Sequence, residues 1–147
     1  MQGGIPMLKG ISPLIPPELL KILAEMGHGD EIVLGDANFP AATMGKRVVR
    51  CDGLGVVDML DAILALLPLD TYVDAPVALM ATTAGEPEPP IWKEIAATVE
   101  KHAPGTQIAF NERFPYYDRS RNAFAVVQTG ETALYANVIL KKGVIGK

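Results

Sequence analysis

The runs "EIVLG" (31–35), "PVALMAT" (76–82) and "AFAVVQT" (123–129) are largely apolar at odd and even positions alike. Successive side chains of a strand point to opposite faces, so strands of this kind need cover on both sides. Amphipathic helices between the runs can supply it. In "PELLKILAEM" (17–26), Leu19, Leu20, Leu23 and Met26 share a face that excludes Glu18, Lys21 and Glu25. Pro17 suits the first helical position and Gly27 the C′ position. In "VVDMLDAILALL" (56–67), Val56, Met59, Leu60, Ile63, Leu64 and Leu67 turn inward, and Pro68 ends the helix. A third helix, "IWKEIAATVEKHA" (91–103), buries Ile91, Ile95 and Val99.

The other segments complete the pattern. "AATMGKRVVRCDG" reads as a loop with a short strand at 47–50, and "GEPEPP" (85–90) as a loop. "TQIAF" (106–110) reads as a strand and "FPYYDRSR" (114–121) as a short helix or turn. Two strands, "AFAVVQT" and "LYANVIL", close the chain as an expected antiparallel pair across the turn "GET". The prediction is an α/β fold, a single domain over 7–147 with a mixed, mostly parallel sheet flanked by helices. Residues 1–6, "MQGGIP", form a dispensable N-terminal extension, expected to be disordered, because Met7 opens a more natural start.

Composition narrows the partners. A chain of 147 residues can bury a core without disulfides or metal. Hydrophobic residues make up 49% and the mean hydropathy is +0.22, yet no run reaches the ~18–20 apolar residues of a membrane span. The surplus apolar surface points to subunit interfaces. A net charge of −4 and only short basic clusters argue against a nucleic-acid partner. The single cysteine, Cys51, excludes an internal disulfide and reads as a small buried side chain beside a strand. The start shows no signal-peptide pattern, so the expected location is cytoplasmic.

Chemistry concentrates in "MGHGDEIVLGDANFP" (26–40), which sets His28 and Asp30 before a buried strand and Asp36 after it. A metal site would want more ligands, and the second histidine, His102, falls at a solvated helix end in "EKHAPG". No phosphate-binding loop or nucleophile elbow is present. "GLG" (53–55) precedes a helix and reads either as an anion-holding turn or as a plain one. Acid–base chemistry by side chains remains, with His28, a residue type that can both give and take a proton, in a turn that can reach a cleft, and Asp36 at a strand's C-terminal rim. A solvated turn histidine is the plainer alternative. In "LYANVIL", Tyr135 and Asn137 are two apart and expected on one strand face, a phenol beside a carboxamide that suits a sugar. "NERFPYYDRSR" gathers Arg113, Tyr116, Tyr117 and Arg119, with Arg119 and Arg121 fitting a polar helix surface. Residues 28 to 36, fully extended, would span roughly 25 Å at ~3.3 Å per residue. His28 and Asp36 therefore share one sugar only if the chain curls or a neighbouring subunit supplies part of the site.

The segments "SPLIPPELLKILAEMGHGDEIVLGDANFPA", "DGLGVVDMLDAIL", "ERFPYYDR" and "AFAVVQTGETALYANVILKKGV" resemble the L-fucose mutarotase and D-ribose pyranase family, from about Met7 to Val144. "ERFPYYDR" and "DANFP" are closer to the fucose branch. The resemblance implies a cofactor-independent isomerase of sugar anomers or ring forms that assembles as a ring-shaped homodecamer. It implies His28 as proton donor and Asp36, Arg113, Tyr135, Ala136 and Asn137 as sugar-binding residues; Tyr117, beside Arg113 in sequence order, is a further sugar-binding candidate. Fucose mutarotases often carry glycine in place of Ala136, and some carry histidine in place of Asn38. The alternatives are a ribose-type pyranase and a non-catalytic sugar-binding accessory of transport.

Overall fold

The computed structural model describes residues 7–146, so the expected 1–6 extension lies outside the described residues. Eleven elements follow in order: α1 (Pro17–Glu25), β1 (Glu31–Gly35), α2 (Ala41–Met44), β2 (Val48–Cys51), α3 (Val56–Leu64), β3 (Val77–Met80), α4 (Ile91–His102), β4 (Ile108–Asn111), α5 (Arg113–Asn122), β5 (Ala125–Thr129) and β6 (Val138–Lys141). The strands form one six-stranded sheet in the order β2-β5-β1-β6-β3-β4. β1 pairs in parallel with β5, β5 with β2, and β3 with β4, while β6 runs antiparallel to both β1 and β3. Every strand except β6 thus points the same way. That is the mixed, mostly parallel sheet the sequence predicts.

The central strands split their side chains between two cores, while β2 buries only Val49 and Cys51, on the larger one. Ile32 and Leu34 of β1 join the larger core beneath α1, α3 and α4, while Val33 joins a smaller one on the other face. Val126 and Ile139 also turn to the smaller core, which α2 and α5 cover through Ala41, Met44 and Tyr116. Burial of a large aliphatic side chain contributes about 1.5–3 kcal/mol, so the larger face carries most of the folding energy. Cys51 is buried there, and burial pushes its thiol up from the ordinary value.

Several expectations change in detail. The two closing strands do not pair with each other, because β1 lies between β5 and β6. Residues 130–137 therefore cross over an occupied strand and cannot form a hairpin turn. β6 begins only at Val138, and Tyr135 takes a left-handed φ of 57°, so Tyr135 and Asn137 are not alternate residues of one strand. Gly27 does not cap α1 in the left-handed region: Met26 is already extended, and the Gly27 N–H donates to Asp30 Oδ2 at 2.7 Å. α3 ends at Leu64, and residues 65–66 continue as a turn before Pro68. A short helix, α2, occupies part of the expected 41–53 loop. The N-terminus of α3 does hold an anion, but the chain's own: Glu131 Oε1 accepts from the Val56 N–H at 3.2 Å.

Tyr116 is fully buried, and its hydroxyl has no hydrogen-bond partner among the described residues. Burial pushes this phenol well above its ordinary value. Leaving a buried polar group unpaired costs about 1–3 kcal/mol. Tyr116→Phe keeps the ring and removes the oxygen, so urea denaturation should show unchanged stability or a gain of about 1 kcal/mol. A clear loss would mean that the hydroxyl is satisfied.

Candidate functional site

Because five strands share a direction, their C-terminal ends form one rim of the sheet, and the reversed β6 brings its N-terminal end to the same rim. Asp36 follows β1, Arg113 opens α5 just after β4, and Asn137 immediately precedes β6. The three line a cleft of about 220 Å³ together with Tyr117, Tyr135 and Glu86. Phe39 forms part of its wall, and the Tyr117 ring meets Phe39 edge-on at 6.0 Å and Phe114 at 6.5 Å. Aromatic walls beside polar groups that donate and accept suit a monosaccharide, which is apolar on its C–H face and polar at its rim.

The floor of the cleft is held from several sides. The Asn137 side-chain oxygen accepts from the Asp36 backbone N–H at 2.8 Å, which turns the amide's two N–H donors elsewhere. Gln128 Nε2 donates to the Asp36 carbonyl at 2.6 Å, so β5 grips the same residue. Asp36 Oδ1 accepts from the Asn38 N–H at 3.0 Å. Burial raises the Asp36 carboxyl above its ordinary value, while the backbone N–H groups of Asn38, Ala136 and Phe39 pull the other way. Ala136 itself is fully buried in the larger core, so it reaches Asp36 through its backbone alone. Tyr135 is pinned at its left-handed φ by Trp92, whose indole N–H donates to the Tyr135 carbonyl at 2.9 Å. Gly35 must lack a side chain here, since a Cβ would stand 2.6 Å from the Cβ of Phe39.

His28 is not in this cleft. It precedes β1, on the rim where β3 begins and β6 ends, and a five-residue strand separates it from Asp36 by roughly 16 Å at ~3.3 Å per residue. The chain does not curl to unite them. His28 Nε2 instead pairs with Asp70 Oδ1 at 3.0 Å, and its ring leans on Tyr72 with centroids 5.4 Å apart. The histidine side chain is 45% exposed and that of Asp70 only 3%. The Tyr72 backbone N–H, donating to the same Asp70 oxygen, and then His28 hold the Asp70 carboxyl below its ordinary value. A buried carboxylate on one ring nitrogen fixes the imidazole's orientation and leaves the other nitrogen to meet solvent or a ligand. His28 is thus more than a solvated turn residue.

Sequence reasoning missed Asp70, which sits in an irregular stretch with no local pattern, and Glu86, hidden in a proline-rich loop. It also misplaced two side chains. Arg119 is no surface arginine: it forks onto Glu31 through Nε and Nη2 at 2.9 and 2.7 Å and reaches Asn111 at 3.0 Å. That clamp ties α5, and with it Arg113 and Tyr117, to β1 and β4. His102 is not left to solvent either, since it pairs with Asp61 of α3 at 2.7 Å. Arg121 does lie at the surface, paired with Asp118. No cluster of three or more metal-binding side chains occurs among the described residues.

Residues 9–145 match the RbsD / FucU transport protein family. The chain belongs to that family. The fucose mutarotase of Homo sapiens is 50% identical over 145 residues, covering 94% of each chain. The L-fucose mutarotase of Actinobacillus pleuropneumoniae is 51% identical over 140 residues, covering 94% of this chain and 97% of its own. Among solved structures, the fucose mutarotase of Streptococcus pneumoniae in complex with L-fucose superposes with a TM-score of 0.90 at 49% identity, over 95% of this chain and all of that one. Bacillus subtilis RbsD complexed with D-ribose gives 0.69 at 25% identity, over 90% of this chain and 95% of that one. The fucose branch is the nearer of these.

Asp36 should separate binding from stability. Folding raises its pKa, so stability falls as pH rises above the ordinary value of 3.8. Asp36→Asn removes that buried charge and keeps an oxygen for the Asn38 N–H. Its thermal midpoint at neutral pH should equal or exceed wild type while sugar affinity drops at least about tenfold. Calorimetry and ligand-observed NMR read the two quantities, and a large loss of stability would contradict the assignment.

Proposed function

We propose that the protein is a cofactor-independent mutarotase that interconverts the α and β anomers of L-fucose. The observation that carries this reading is the cleft of Asp36, Arg113, Tyr117, Tyr135 and Asn137 in a chain about half identical to fucose mutarotases over nearly its whole length. Mutarotation places a proton on the ring oxygen and takes one from the anomeric hydroxyl, which a carboxylate or a phenol of the cleft can accept. The C1–ring-oxygen bond then breaks to an open aldehyde, C1 turns about its bond to C2, and the ring recloses on the other face. His28 donates the first proton; Asp36, Arg113, Tyr135, Asn137 and the backbone at Ala136 hold the sugar, with Tyr117 against it.

The two rims must then meet, and they do so between protomers. His28 with Asp70 and Tyr72 lies on one rim and the cleft on the other, so a head-to-tail contact sets the histidine of one chain over the cleft of its neighbour. A head-to-tail contact that closes gives a ring. Exposed apolar side chains flank both rims in support: Phe114 and Leu134 beside the cleft, at 72% and 63%, and Tyr72 at 75% beside His28. The assembly is a ring-shaped homodecamer, acting in the cytoplasm. No helix among the described residues is long and apolar enough to cross a membrane.

Saturation-transfer NMR on the anomeric protons tests the reaction. Wild type should speed exchange of L-fucose more than of D-ribose, and His28→Ala should abolish it with binding retained. Faster exchange of ribose alone would favour a pyranase, and binding without exchange a transport accessory.

A further inference from the structure

Glu86 lies in the cleft but has no role in the reading above. Its carboxylate accepts the Tyr135 hydroxyl proton at 2.6 Å and that of the Thr83 hydroxyl on the same oxygen, Oε1. The loop that carries it is built to hold it there. Gly85 takes a φ of +88° and the Glu86 N–H returns to the Thr83 carbonyl at 3.1 Å, so residues 83–86 close a tight turn. Pro87, Pro89 and Pro90 then restrict the backbone that follows. The Thr83 hydroxyl first, then that of Tyr135, hold the Glu86 carboxyl below its ordinary value, and Arg113 across the cleft adds to this. An ionised carboxylate has only acceptors, so the phenol must be the donor in this pair. A phenol has one proton.

We propose that Glu86 is a positioning residue that fixes the Tyr135 hydroxyl with its proton turned away from the sugar, leaving the phenol oxygen to accept a hydrogen bond from a sugar hydroxyl. The proposal rests on the fucose mutarotase reading for the identity of the ligand. It gives a reason for the left-handed backbone of Tyr135: with its carbonyl tied to Trp92 and its hydroxyl to Glu86, the residue is fixed at both ends. It also sets a specificity rule. The sugar position facing Tyr135 must carry a hydrogen-bond donor, and an ether or carbonyl oxygen there is refused.

The test combines Glu86→Ala, Glu86→Gln, Tyr135→Phe and the double variant Glu86→Ala/Tyr135→Phe, with Glu88→Ala as a control. Fucose exchange is read by saturation transfer. The Tyr135 13Cζ signal is read in ligand-free protein labelled at tyrosine. Glu86→Ala should lower kcat/KM about tenfold, the cost of one charge-assisted hydrogen bond, and move the Tyr135 signal. Glu86→Gln, which keeps an acceptor oxygen, should recover most of that loss. The double variant should be no worse than Tyr135→Phe, and Glu88→Ala should change nothing. An unmoved Tyr135 signal in Glu86→Ala, losses that multiply in the double variant, or no recovery in Glu86→Gln would overturn the proposal. If wild type fails to speed fucose exchange, the mutarotase reading falls instead, and the Tyr135 signal still decides the hydrogen bond.

Discussion

The reversed insertion of β6 between β1 and β3 is the constraint on which the site depends. A βα crossover keeps strands parallel and sends every loop from the C-terminal rim back to the opposite one. Only a strand entering from the C-terminal rim can bring its own leading residues there. β6 does so, and its register against β1, with Leu34 opposite Val138, sets Asn137 beside Gly35 and Asp36. The amide of Asn137 then closes onto the Asp36 backbone. Tyr135 arrives two residues earlier on the same crossing. Remove the reversal, and Asp36 and Arg113 would have neither partner.

The cleft carries features that work against stability. Asp36 is buried with its carboxyl raised by loss of water, and Tyr135 occupies a backbone region that non-glycine residues avoid. Both lie against the most regular part of the sheet, where β5 is buried throughout and β1 and β6 except at Glu31 and Lys141. Strain of this kind persists only where the surroundings over-determine it, and here Gln128, Asn137 and Trp92 each fix one backbone group. The opposite rim is arranged differently. His28 stays half-exposed and is aimed by one buried carboxylate.

Much of this was legible in the sequence, but by more than one route. Apolar runs and helical faces gave α1, α3, α4 and all six strands, because burial on one face or both leaves a pattern in each strand. Pairing order left none: β5 and β6 adjoin in sequence yet flank β1, a choice made by tertiary packing. Tyr135 and Asn137 do share a site, though through the left-handed turn at Tyr135 and not through strand alternation. The separation of His28 from Asp36 followed from chain length alone. Asp70 and Arg119 did not, since a buried carboxylate and a half-buried guanidinium are recognisable only once Asp70 meets His28 and Arg119 meets Glu31. The sugar-binding reading of Asp36 came from resemblance to a family, and its burial became visible only in the structure.

The central claim is that one catalytic site draws its acid from one protomer and its sugar anchor from the next. It is tested by refolding an equimolar mixture of two impaired variants, His28→Ala and Asp36→Asn, and measuring L-fucose anomer exchange at a sugar concentration where each alone shows little. With sites shared between neighbours and random assembly, about a quarter of them pair an intact His28 with an intact Asp36, so about a quarter of wild-type activity should return. If each chain holds its own site, every site stays damaged. A mixture as inactive as its two components would contradict the account.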